Sequence, residues 1–219
     1  MLSFVNYQKS YHNFPALKID DYSIDQGIYW IKGANGSGKS TLLKTIAGIL
    51  DFKGDIILKS PAGNLVNPVP VSVKKQTLAF RKLVNFAEAE PIFPEFLTGK
   101  EMVSLFSAAK GGDLQQSAYY IESMKMTSYI NRPLGTYSSG MLKKLSLVLA
   151  FLGKPEIILL DEPLITVDVE SLEILYRWIA EKHEKEKTSF LLASHQPFES
   201  TVLPLIQKIL IENQHLTPL

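Results

Sequence analysis

Residues Gly33–Thr41 read GANGSGKST, a glycine-rich run that ends in a lysine and two hydroxyls. The order fits G-x-x-x-x-G-K-[ST], a pattern whose physical task is to surround a chain of phosphates. Gly33, Gly36 and Gly38, with Asn35 and Ser37 between them, let consecutive backbone N–H groups turn inward without a clashing side chain. A helix starting near Gly38 adds the positive end of its dipole. Lys39 can reach the β- and γ-phosphates of a triphosphate, the Ser40 hydroxyl can bind Mg²⁺, and Thr41 closes the run. A second pair of reactive groups ends the apolar run IILLDE. Asp161 and Glu162 stand at the carboxyl end of a strand, where open α/β sheets bind ligands. Asp161 can hold a metal directly or through water, and Glu162 can polarise an attacking water. Two solvated acids before Pro163 would look the same in isolation, so this pair gains its meaning from the phosphate cradle.

The elements that must position these groups follow from periodicity. Short apolar runs alternate with helical patterns, which predicts an α/β sheet with helices packed on its faces. IYWIKG (Ile28 to Gly33) reads as a buried strand entering the cradle. Leu42, Leu43, Ile46, Ala47 and Ile49 then recur at helical spacing, with Gly48 near the helix end. GDIIL (Gly54 to Leu58) is strand-like, and Ser60 to Val73, with three prolines, reads as a loop or irregular edge. From Thr98 to about Gly153 the pattern is helical. There Leu142, Leu145, Leu149 and Leu152 share one face, with Lys143 and Lys144 off it. A later helix carries Leu172, Leu175 and Ile179 and trails into EKHEKEK. The strand TSFLLAS follows, directly before His195.

Composition narrows the function classes. The chain has 219 residues, 46% hydrophobic and 21% charged, the balance of an ordinary globular domain. A net charge of +1 gives no electrostatic footprint for nucleic acid. The absence of cysteine excludes disulfides and thiolate-held metal clusters. No run approaches the ~18 apolar residues of a membrane span. The start, MLSFVNYQKSY, lacks the charged and apolar regions of a secretory signal. The expectation is a cytoplasmic chain, held at any membrane by another protein.

Between the two phosphate motifs lies YSSGM, Tyr137 to Met141, opening a Leu- and Lys-rich helix. With the cradle and the carboxylates, this resembles the ABC ATPases along nearly the whole chain, in forms similar to exporter and haem-exporter types. Ser138 and Gly140 match the serine and second glycine of the signature LSGGQ, while Ser139 and Met141 depart from it. ITVD, Ile165 to Asp168, resembles the loop that meets the other subunit. His195 is similar to the histidine that senses the γ-phosphate, and Tyr11 to the aromatic residue that stacks on adenine. VNFAEAEPIFPEFLT resembles the loop that normally brings a glutamine to the metal and water. Here Glu88 stands in its place, losing an amide donor and adding a charge beside Glu162.

The resemblance implies a P-loop NTPase core with a mixed sheet, an α-helical subdomain and an amino-terminal antiparallel β subdomain. The core with its β subdomain would hold residues 1–87 and 154–219, the helical part about 88–153. It implies Mg²⁺-dependent ATP hydrolysis, with Glu162, His195 and Glu88 catalytic, and Ser40, Asp161 and Glu88 at the metal. Tyr11, the residues of the cradle, Ser138, Gly140 and Asp168 would contact ATP. Ser138 and Gly140 would complete the ATP site of a second copy in an ATP-bound homodimer. It further implies a membrane permease as partner, placing the chain on the inner face of the cell membrane. The apolar segment Phe86 to Thr98 would lie beside a groove that receives a permease helix. A soluble ABC-type scaffold ATPase without a permease is the alternative. A DNA-maintenance relative would need long heptad arms between the phosphate motifs, and the insert is too short for them.

Overall fold

The structure is a computed structural model that describes residues 1–12, 14–59, 70–198, 203 and 206–219. Its centre is a six-stranded mixed sheet. Strands β3 (Ile28–Lys32), β6 (Val84–Ala87), β7 (Ile157–Asp161), β8 (Ser189–Ala193), β9 (Gln207–Glu212) and β10 (His215–Pro218) run in the order β10-β9-β3-β8-β7-β6. All neighbours are parallel except the terminal hairpin β9–β10. The parallel strands read as continuous apolar runs because both of their faces are covered. The period of two divides them cleanly. Ile157, Leu159, Leu191 and Ala193 pack to one side, Ile158, Leu160, Phe190 and Leu192 to the other. Each fully buried leucine among them contributes about 1.5–3 kcal/mol.

One side is closed by helix α1 (Lys39–Ile46) and by a four-stranded antiparallel sheet of β1 (Leu2–Tyr11), β2 (Phe14–Ile24), β4 (Lys53–Leu58) and β5 (Val71–Ser72), ordered β2-β1-β4-β5. Tyr7 of β1 is buried and its hydroxyl hydrogen-bonds Thr45 of α1 at 2.9 Å. Burial pushes the Tyr7 hydroxyl up to about 12, so it stays a neutral peg between sheet and helix. The other side is closed by α3 (Gly99–Lys110), α4 (Leu114–Ser123), α5 (Ser139–Phe151) and α6 (Val169–Glu186). Helix α2 (Thr77–Leu83) leads into β6.

The mixed sheet, the helical part and the amino-terminal antiparallel sheet agree with the expected fold class. Three local readings change. VNFA at the start of the expected loop is the edge strand β6, paired residue for residue with β7, because its buried Val84, Asn85 and Ala87 fill the sheet edge. Ile49 lies beyond α1 and is exposed, since Gly48 adopts a left-handed φ of +70° that ends the helix. In the stretch expected as loop or irregular edge, Val71–Ser72 pairs with β4 as an edge strand, and residues 60–69 lie outside the described ones. The β9–β10 hairpin, with Asn213 and Gln214 both at positive φ in its turn, was not anticipated from the sequence.

Candidate active site

Chain order separates the reactive residues, and sheet order brings them together. Strands β3, β8, β7 and β6 are successive parallel neighbours, so their carboxyl ends share one edge. Gly33 follows β3, His195 lies two residues past β8, Glu162 follows β7 and Glu88 follows β6. That edge is where an open α/β sheet takes its ligand.

The cradle leaves β3 and enters α1 at its N-cap, Gly38, with φ +107°. A Cβ on Gly38 would meet the Leu17 side chain at 2.9 Å, so both the backbone angle and the packing demand glycine. At the loop's start, a Cβ on Gly33 would collide with the Ser37 hydroxyl. Ala34, Asn35 and Gly36 are exposed, and Gly36 also has a positive φ of +76°. Lys39 curls back across the loop and donates to the carbonyls of Gly33 at 2.9 Å and Ala34 at 3.1 Å. It is 6% exposed, and burial draws its ammonium below the usual lysine range while Glu162 and Asp161 oppose that shift. The loop therefore holds a cation at its mouth.

Asp161 is buried, and burial pushes its carboxyl up, against the hydrogen bond from the Ser40 side chain. One of its oxygens, Oδ1, is buried without a hydrogen-bond partner among the described residues. A hard divalent cation suits this donor set: an unsatisfied carboxylate oxygen beside a serine hydroxyl. Mg²⁺ takes one or two protein oxygens plus phosphates and waters.

Glu162 has φ +43°, a left-handed backbone that costs a non-glycine residue about 1–3 kcal/mol. Its N–H donates to the Ala193 carbonyl at 2.8 Å, which holds the turn. The result aims the carboxylate at His195, whose Nε2 lies 3.0 Å from Glu162 Oε1. Tyr11, at the end of β1, is 45% exposed and its hydroxyl hydrogen-bonds Thr41 at 3.2 Å, beside the cradle. These residues come together as expected.

Glu88, expected beside Glu162, follows β6 at the same sheet edge. Its carboxylate pairs with Lys44 of α1 at 3.5 Å, because a second lysine, five residues past Lys39, faces the loop. Ser138, Gly140 and Asp168 occupy structural posts here. Ser138 caps α5 by accepting from the Met141 N–H. A Cβ on Gly140 would come within 3.0 Å of the Thr166 carbonyl. Asp168 caps α6 and pairs with Lys144 at 2.7 Å; that lysine and the Ser171 N–H hold its carboxyl well below the usual range.

Lys143 is the largest departure from the sequence reading. It was expected off the apolar face of α5, yet it is 1% exposed. Its ammonium donates to the carbonyls of Glu88 at 2.7 Å, Ala89 at 3.2 Å and Asp161 at 2.8 Å. Burial pulls it down to about 8, with Asp161, Glu162 and Glu88 acting the other way. The signal was present. Leu145 through Phe151 is buried without a break, so α5 has no polar face beyond its first turn, and Lys143 adjoins that buried run.

Comparison with known proteins decides the family. The family model described as "ABC transporter" matches residues 18–165, well over half of the chain. The chain belongs to the ABC transporter family. Within it, the chain is an ATP-binding subunit and an ATPase. It is 31% identical over 201 residues to the cytochrome c biogenesis ATP-binding export protein CcmA of Legionella pneumophila, covering 90% of this chain and 93% of that one. It is 30% identical over 194 residues to the zinc uptake system ATP-binding protein ZurA of Listeria innocua, covering 87% of this chain and 74% of that one. Among solved structures, an ATP-binding cassette in a dimeric post-hydrolysis state with ADP and Pi superposes at a TM-score of 0.79 and 18% identity, covering 98% of this chain and 96% of that one. This last likeness concerns the fold. No helix among the described residues is long and apolar enough to cross a membrane.

Proposed function

We propose that this ABC subunit binds Mg-ATP along the shared edge of β3, β8, β7 and β6 and uses hydrolysis to drive a separate membrane permease. The observation that carries the reading is the convergence of Lys39, Asp161, Glu162 and His195 on one sheet edge, with Glu162 held against His195. Lys39 and the loop amides take the phosphates, and Tyr11 offers a ring face to adenine. Ser40 and Asp161 would hold Mg²⁺, which would supply charge neutralisation when bound. Glu162 takes the proton of the attacking water and His195 holds the γ-phosphate in line. In phosphoryl transfer such positioning and charge stabilisation account for most of the catalysis. Glu88, tethered to Lys44, sits at the margin of this set and serves the metal through its position on the loop.

Ser138, Gly140 and Asp168 act on the ATP of a second copy, so the working unit is an ATP-bound homodimer. The core of residues 1–87 and 154–219 then moves against the helical part, about 88–153. Replacing Ser138 by tryptophan should slow turnover about a hundredfold, the scale of a lost charge-stabilising donor. ATP binding by the separated monomer should stay intact in equilibrium fluorescence titration. Lost binding in the monomer would instead put Ser138 in its own site.

The permease face is an open groove of about 640 Å³ between the β6 edge and the helical part. Phe86, Ile92, Phe93, Met102 and Phe106 line it together with Glu88. Ile92 is 92% exposed, a free apolar anchor at the groove. Phe96, expected to share this role, is exposed but lies outside the groove lining, because the turn at Pro94 to Leu97 carries it away. An amphipathic helix docks in such a groove by apolar anchors. Ile92→Asp and Phe93→Asp should abolish stimulation by the permease in reconstituted membranes while the soluble ATPase rate stays near the parent's. Stimulation retained in both, or a chain that never co-fractionates with membranes, supports the scaffold ATPase instead.

A further inference from the structure

The ammonium of Lys143 has three N–H donors and meets three backbone carbonyls, those of Glu88, Ala89 and Asp161. Two of these belong to the segment after β6, the third to the last residue of β7. One buried cation therefore ties together the two backbones that carry Glu88 and the Asp161–Glu162 pair. The lysine arrives from neither strand. It projects from α5, whose first residue follows the Ser138 cap. The same helix start is pinned on its other side, where Lys144 pairs with Asp168 and Gly140 abuts the Thr166 carbonyl.

We propose that Lys143 is a positioning residue for ATP hydrolysis: it sets the separation of the Glu88 backbone from the Asp161–Glu162 backbone, and makes that separation depend on the seating of α5. The proposal rests on the reading that Asp161, Glu162 and Glu88 serve the metal and the attacking water. Its physical basis is economy of alternatives. A buried ammonium that loses a carbonyl is left with an unsatisfied donor in a low-dielectric site, so the three carbonyls are held tightly about it. A movement of α5, whose amino end would face the second copy's ATP, displaces the ammonium and with it the two loops. Misplacement of catalytic groups by about 1 Å costs on the order of a hundredfold in rate.

The test compares the parent, Lys143→Met and Lys143→Gln as full-length chains with Mg-ATP. Turnover is normalised to folded protein by nucleotide-binding titration. We expect kcat to fall by about tenfold to a hundredfold with KM for ATP little changed, since Lys143 touches backbone and not nucleotide. Lys143→Gln keeps two donors and decides the matter where Lys143→Met does not fold. Glu88→Ala, made in the parent and in each Lys143 variant, adds a second readout. Its effect on kcat should shrink in the variant background, because Glu88 is already displaced there. A lysine that only stabilises the fold would lower Tm while leaving kcat per folded chain and the Glu88→Ala effect unaltered, and that result overturns the proposal. Glu162→Gln is measured in parallel. Full turnover there sinks the site reading, whereas slow turnover there with normal turnover in the Lys143 variants sinks this proposal alone.

Discussion

Replacing Glu162 by glutamine is expected to leave ATP binding in place and to slow turnover by about a hundredfold or more, the scale of a lost general base. The side chain keeps its size, and the left-handed turn that aims it is held by the backbone bond to Ala193, which the substitution does not touch. What disappears is the ability to accept the water's proton. His195 keeps a neighbour, because a glutamine oxygen can still accept at the 3.0 Å separation that Glu162 Oε1 now holds. Nucleotide should therefore dock normally and remain uncleaved. In a homodimer clamped by two uncleaved triphosphates, the lifetime of the pair should lengthen. Size-exclusion chromatography with ATP should then show a dimer that ADP does not produce. Turnover at the parent's rate would place the base elsewhere, and Glu88 on the neighbouring strand end would be the first residue to replace.

Lys39→Ala should act earlier, at binding. The ammonium rests on the Gly33 and Ala34 carbonyls, within the loop proposed to receive the phosphates. Exchange of those carbonyls for phosphate oxygens replaces neutral acceptors with anionic ones. Charge-assisted hydrogen bonds contribute about 1.5–3 kcal/mol each, so two of them correspond to roughly a hundredfold to ten-thousandfold in affinity. Isothermal titration calorimetry with Mg-ATP should show that loss. Thermal stability without nucleotide should change much less, because the buried ammonium already bears a desolvation cost that the alanine removes. An unaltered dissociation constant would mean that Lys39 stays on the loop carbonyls when ATP binds, and the cradle would then rest on backbone amides alone.

Much of this protein was legible in the sequence because its strongest constraints are local. A left-handed glycine before a helix, a lysine one residue on, and an apolar strand ending in two acids each need only a few neighbouring residues. The α/β class followed from runs whose length and apolarity suit strands buried on both faces. Edge strand β6 was missed because four residues carry too short a period to separate strand from loop. The β9–β10 hairpin was missed because its turn, Asn213–Gln214, lacks the glycine that usually marks one.

What only the tertiary structure decided concerns partners. Sheet order, not chain order, makes Gly33, His195, Glu162 and Glu88 neighbours, and no local pattern encodes which strand lies beside which. Glu88 pairs with Lys44 because α1 happens to present its next turn to that loop. Lys143 and Lys144 are adjacent lysines in one helix, yet one is buried among three carbonyls and the other reaches Asp168 near the surface. Helical spacing assigns a residue to a face, but whether that face meets water or another segment's backbone depends on packing between distant parts of the chain.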